Sequence, residues 1–224
     1  MAKKLLLVLT AILLILSPMY FLSSEINAAP AVGSTTVTLY SFADAYVNSS
    51  SPEANYGSMG RMNISANSEQ DFAYVKFDLT SIPLDANIIN ATLKAYLSKT
   101  GGKIYWMPAD TIGAYYCSDN SWTEQGITWN NKPSFNTNPT GSWSFGIVDF
   151  TGYKSWAVTA DVRTALPSRV ITEVLRFASK TGDGFAVFQP REGDNSPELE
   201  VEYSTKTVSL FTLNLLRIRD SPTI

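Results

Sequence analysis

At 224 residues the chain is long enough for one large β domain, and its formal charge of −3 at pH 7 with 17% charged residues provides no clustered Lys and Arg for neutralising phosphates, which excludes nucleic acid as a partner. It has no histidine and one cysteine, Cys117. Serine triads, thiol–imidazole dyads, zinc hydrolases and an intramolecular disulfide are therefore excluded.

Lys3 and Lys4 precede the apolar run Leu5 to Leu16, and Ala29 and Ala31 stand in an Ala-x-Ala pattern. Residues 1–31 are expected to be a secretory signal peptide, with an uncleaved anchor as the alternative because the apolar character extends to Leu22. A membrane contact is expected only through that segment. Asn48, Asn63 and Asn90 head Asn-x-Ser/Thr sequons.

From Val32 the sequence alternates short β segments with Ser, Pro, Asn and Gly turns. "STTVTLY" and "DAYVN" open the series. In "FAYVKFDL", Phe72, Tyr74, Lys76 and Asp78 point one way and Ala73, Val75, Phe77 and Leu79 the other, the second set toward the core. "NIINATLKAYLS" puts Ile89, Ala91, Leu93, Ala95 and Leu97 on one face. Further strands are expected in "GGKIYWMPAD", "SFGIVDFTG", "SWAVTADV", "DGFAVFQP" and "PELEVEY". "SRVITEVLRFASKTG" is different: Val170, Ile171, Val174, Leu175 and Ala178 recur at three and four residues, which predicts one short helix ending near Gly182.

This pattern predicts an all-β fold, an antiparallel jelly-roll sandwich with one short helix over residues 32–203. Residues 204–224 form a tail with high β-propensity, read as a frayed strand, a linker remnant or a strand that pairs with another subunit.

Four stretches, "DAYVNSSSPEANYGSMGRMNI", "YVKFDLTSIPLDANIINATLKAYL", "WTEQGITWNNKP" and "FQPREGDNSPELEVEY", together resemble the exported DNRLRE domains, which overlap carbohydrate-binding module family 96. The ordered set carries the likeness, over Thr38 to Tyr203. It departs from the family pattern at Asp161-Val162-Arg163 and at Pro190-Arg191-Glu192. The resemblance implies a jelly roll of secreted or cell-surface proteins, a polysaccharide or cell-surface glycan as partner, binding of acidic polysaccharide in some members, and no catalysis.

Individual residues divide between binding and structural roles. Trp106, Tyr115, Tyr116 and Trp143 are sugar-stacking candidates, since aromatic rings cover the apolar faces of pyranoses, and Arg191 is a candidate for an acidic sugar. Trp122, Trp129 and Tyr56 are read as anchors of loops, and Arg191 with Glu192 as an organiser of turns. A structural calcium is open at Asp44, Glu192 and Asp194. A glycosidase would need a carboxyl pair, with Glu124, Asp149, Asp161 and Glu173 available, and a lyase could use Tyr115 or Tyr116. The expected function is a secreted or surface carbohydrate-binding module. The alternatives are a structural or adhesive subunit assembling through its edges and tail, and a glycan-active enzyme.

Overall fold

β-branched and aromatic residues in short alternating runs commit the chain to strands, and the alternation decides which side chains meet between sheets. The computed structural model describes residues 33–101, 109–146, 151–180 and 184–205, so the predicted signal segment, Trp106, Asp149 and the tail beyond residue 205 lie outside the described residues. Its strands are β1 (Ser34–Tyr40), β2 (Ala43–Asn48), β3 (Met62–Ala66), β4 (Gln70–Asp78), β5 (Asn87–Gly101), β6 (Asp110–Cys117), β7 (Gly141–Phe145), β8 (Gly152–Ala157), β9 (Val170–Ser179), β10 (Phe185–Phe188) and β11 (Glu198–Ser204). One helix, α1 (Thr159–Ala165), and a 3-10 turn (Leu166–Ser168) join β8 to β9. No helix among the described residues is long and apolar enough to cross a membrane.

The strands pair antiparallel in a curled sheet ordered β1-β11-β5-β10-β3-β4-β9-β6-β7, with β2 on β4 and β8 on β5. β10 and β11 run along the same strand, β5: Phe185–Phe188 pairs with its end and Glu198–Ser204 with its beginning. The connecting residues 189–197 carry Arg191 and are tied to the sheet through Gln189 N–H on the Tyr96 carbonyl at 2.9 Å.

The two faces of β4 are both covered, and by different chemistry. Ala73, Val75, Phe77 and Leu79 enter the main core with Leu93, Ile112, Leu175, Phe188 and Val201. Phe72 and Tyr74 face the other way into a second cluster with Ala45, Val47, Tyr115, Val174, Trp122 and Ile127. The segment between β6 and β7 covers that second face. Tyr74 donates its hydroxyl to the Pro133 carbonyl at 2.8 Å, Lys76 donates to the Trp122 carbonyl at 2.6 Å and Trp122 donates its indole N–H to Thr172 at 3.1 Å.

Four expectations change. Residues 170–179, predicted as helix, are strand β9, inserted between β4 and β6 with both faces buried; a strand covered on two sides carries apolar residues on both parities, and here they recur at three and four residues. In "SWAVTADV" the expected strand holds for Ser155–Ala157, the end of β8, but the helix starts at Thr159 and runs to Ala165; its N-cap, Val158, makes no side-chain capping bond that would mark a helix start. Ile89 is 43% exposed while Ile88 is buried, because a β-bulge opposite Glu202 and Tyr203 shifts the parity of β5. The Asn48 side chain, read as a sequon, is buried and donates to Asp71 at 2.7 Å.

Candidate functional site

Residues from four distant stretches meet at one end of the sheets. The Glu124 carboxylate accepts two parallel bonds from Arg191, Nε at 2.7 Å and Nη2 at 2.8 Å, and also accepts the Asp44 backbone N–H at 3.0 Å. The Arg191 backbone N–H donates to Asp44 Oδ2 at 2.7 Å, and Asn55 Nδ2 donates to the carbonyls of Glu124 and Ile127, each at 2.8 Å. Gly57 packs so closely that an added Cβ would stand 2.0 Å from the Glu124 carbonyl oxygen, so only glycine fits. Tyr56 stacks on Tyr46 with ring centroids 4.3 Å apart.

Burial pushes the Asp44 carboxyl up to about 7, opposed by the Arg191 backbone bond. Burial also works against ionisation of Glu124, yet the bonds from Arg191 and the Asp44 backbone hold it below the ordinary glutamate value. Asp44, Glu124 and Glu192 bring one oxygen each within 4.8 Å of one another, a spacing that could hold a cation. The Arg191 guanidinium already bonds Glu124 and pairs with Glu192 at 2.7 Å, so the charge a calcium ion would supply is met by a side chain. Asp194, exposed on the same turn, is not part of that group.

The three aromatic binding candidates among the described residues pack against the protein rather than stand open. Tyr115 is only 2% exposed, covered by Phe135 at 5.6 Å and by the Arg176 guanidinium at 5.1 Å, which corrects its reading as a platform. Tyr116 and Trp143 are half-buried and pack against the main core; Trp143 stacks on Phe145 at 5.1 Å and Lys154 covers it at 5.2 Å. Trp122 is buried. Trp129 packs against Phe72 at 4.9 Å, with Lys132 over its ring at 3.7 Å. Arg191 is 37% exposed and committed to carboxylates.

Asp161 and Glu173 do come together, one from α1 and the other from β9, but inside the protein. Glu173 is fully buried and Asp161 is 5% exposed, with a side-chain hydrogen bond between them and a donated bond from Thr140 to Asp161 at 2.8 Å. No other donor among the described residues reaches Asp161 Oδ2 or either Glu173 oxygen, so a shared proton links the pair. Burial and the neighbouring Asp161 carboxyl push Glu173 well up. A carboxyl pair sealed from solvent has no opening for a glycosidic bond.

An open groove of about 440 Å³ lies on the outer face of β3 and β10. Register sets Asn63, Val187 and Lys99 in one row across β3, β10 and β5, and Ser65 and Phe185 in the next. The inward residues Met62, Ile64, Ala186 and Phe188 hold these strands on the core. Arg61 and Asn67 close the rim, and the Lys99 ammonium stands 5.7 Å from the centre of the Phe185 ring. Lys180 donates to the Ala66 carbonyl and to Asn67 Oδ1. The groove thus combines a half-buried aromatic ring, side-chain amides, two exposed cations and one carboxyl, the buried Asp71, which Asn48 bonds at 2.7 Å and which lies in the field of Arg61. The sequence reading did not single out these residues: outward parity was available for Arg61 and Asn63, but the insertion of β10 between β5 and β3 joins positions far apart in the chain.

Comparison with known proteins supplies the family. A gellan lyase from Bacillus sp is 32% identical to this chain over 108 residues, which are 48% of this chain and 4% of that protein. The model of carbohydrate-binding module family 96 matches residues 35–203, nearly the whole described fold. The chain belongs to carbohydrate-binding module family 96.

Proposed function

We propose that this protein binds acidic polysaccharide at or outside the cell surface, without cleaving it, through the groove over β3 and β10. The observation that carries the reading is the pairing of two exposed cations, Arg61 and Lys99, with the Phe185 ring in one open depression. A uronate offers a carboxylate to the guanidinium or ammonium and C–H bonds to the ring, while the amides of Asn63 and Asn67 suit sugar hydroxyls. The chain as a whole is acidic, so a local concentration of cations on one surface is a selective feature rather than an effect of composition. The gellan lyase relative makes gellan, a carboxylated polysaccharide, a suitable first probe. The sealed Asp161–Glu173 pair and the Arg-bound Glu124 support binding without catalysis.

Native electrophoresis through gels containing gellan tests this reading. The protein should be retarded, less so at high salt, and Lys99→Ala should weaken binding about tenfold, the equivalent of ~1.4 kcal/mol, with Arg61→Ala similar. Gellan viscosity should stay constant over the incubation. Equal mobility with and without gellan and with alginate, or a fall in viscosity, would end the proposal.

A further inference from the structure

The outer surface of β1, β11, β5 and β8 carries tyrosines that the groove does not use. Register sets Tyr40 opposite Glu198, Glu198 opposite Lys94, and Tyr96 opposite Tyr153. β5 lies between β8 and β11, so the Tyr153 side chain, rooted on β8, crosses β5 to reach β11. Its hydroxyl lies 3.1 Å from Glu198 Oε1 and 3.3 Å from the Ser196 carbonyl, and the Tyr96 ring meets it edge-on at 5.4 Å and 88°. Burial first, and then the Glu198 carboxylate, push the phenol up to about 12, so it remains a donor across the neutral range.

Tyr153 is nonetheless 41% exposed, and Tyr40 is 62% exposed. Single exposed hydrophobics are ordinary, and a tyrosine with a packing role buries its ring. Here the hydroxyl is tethered and the edge braced while the ring remains open to solvent. A ring held in this way loses little rotamer freedom when a flat ligand settles on it, which is the condition for efficient stacking on a pyranose. The surrounding charge is opposite to that of the groove. Glu198, Glu200 and Glu202 alternate outward along β11, and Lys94 pairs with Glu200 at 2.8 Å. Carboxylates accept bonds from sugar hydroxyls and repel an anionic chain.

We propose that Tyr153, with Tyr96 and Tyr40 beside it, forms a second carbohydrate-contact face, for the uncharged hexopyranose rings of a neutral polysaccharide. The module then has two surfaces of unlike selectivity, a cationic groove and an acidic tyrosine face.

The test uses the full chain in parallel gels containing hydroxyethylcellulose, glucomannan or gellan. Retardation is expected in at least one of the two uncharged gels, insensitive to salt. Tyr153→Ala should abolish it and leave gellan retardation unchanged; Tyr153→Phe, which keeps the ring and loses the tether, should weaken it several-fold. Lys99→Ala should show the reverse selectivity. Thermal unfolding of Tyr153→Ala within a few degrees of the parent rules out a folding defect, and a Tyr40→Ala variant, at a more exposed site, provides the measurement if Tyr153→Ala does not fold. No retardation in either uncharged gel, or retardation that survives Tyr153→Ala, or Tyr40→Ala in its place, overturns the proposal. Failure of the groove reading would appear in the gellan gel alone.

Discussion

Asp161 with Glu173, between α1 and β9, and Asp44 with Glu124, beside Arg191, are two carboxyl pairs in one sandwich that meet burial by different means. At the second site a guanidinium bonds one carboxylate through two donors, and the pKa of Glu124 falls. At the first, no cation among the described partners faces the pair; Tyr116 lies near it, its phenol pushed up by burial and by both carboxyls, and a proton takes the place of a counter-ion. Charge is kept in a half-buried position when a partner comes with it, and is surrendered when none does.

Glu124 therefore responds to pH with a sign opposite to that of the other three carboxyls, its own neighbour Asp44 included. Glu124, lowered in the fold, stabilises above its unfolded value near 4.5, and that contribution is lost as pH falls. Glu173, Asp161 and Asp44, raised in the fold, are fully compatible with the native state below their unfolded values near 4. Their contribution declines as pH rises through the folded values, for Asp44 between about 4 and about 7.

The largest change should come from removing the one cation. Arg191→Met keeps the aliphatic stem but leaves Glu124 charged and half-buried. The full cost of such a one-sided break, about 3–5 kcal/mol, is reduced because the guanidinium is 37% exposed, so about 2 kcal/mol is expected. In calorimetry at pH 7 that is a fall in Tm of roughly 6 °C; a Tm within a degree of the parent would show that the cation is not what separates the two sites. Glu173→Gln should have a smaller effect of opposite sign. The amide needs no proton to stay neutral, so the variant should exceed the parent by about 1 kcal/mol at pH 8 and match or fall below it at pH 4, as urea unfolding would show. An equal effect at both pH values would indicate that Glu173 is ionised in the fold. The smallest is Thr140→Val, which removes a donor to Asp161 and should cost about 1 kcal/mol, since a buried acceptor loses its partner. In a Glu173→Gln background the loss should differ from that value, because the two changes share Asp161.

Much of this organisation could be read from the chain. In β4, period two separates Ala73, Val75 and Phe77 from Phe72, Tyr74 and Lys76, and the two sets indeed enter different clusters. The same rule failed in β9, where Val170, Ile171, Val174, Leu175 and Ala178 fall on both parities of a strand buried on two sides and so recur at three and four residues, as in a helix. Glu173 adds to the difficulty: a polar residue at an inward position breaks the pattern. For the site, the charges of Arg61 and Lys99 are visible in sequence, but they become neighbours only through the long-range pairing of β10. The motif residues Asp44, Asn55, Glu124 and Arg191 show why recognisable positions need not bind anything. Their carboxylates, amide and guanidinium fasten three connections in a fold whose single cysteine is free and buried.

The first described strand, β1, lies antiparallel to the last, β11, with Ser34 facing Ser204. The ladder between them is bonded perpendicular to the strands. A load applied between these two ends would therefore open the bonds in succession, like a zipper, rather than stress them together in shear. Under tension the sheet edge should peel from Ser34 and Ser204 inward, at low force, before the strands that carry the cationic groove are disturbed.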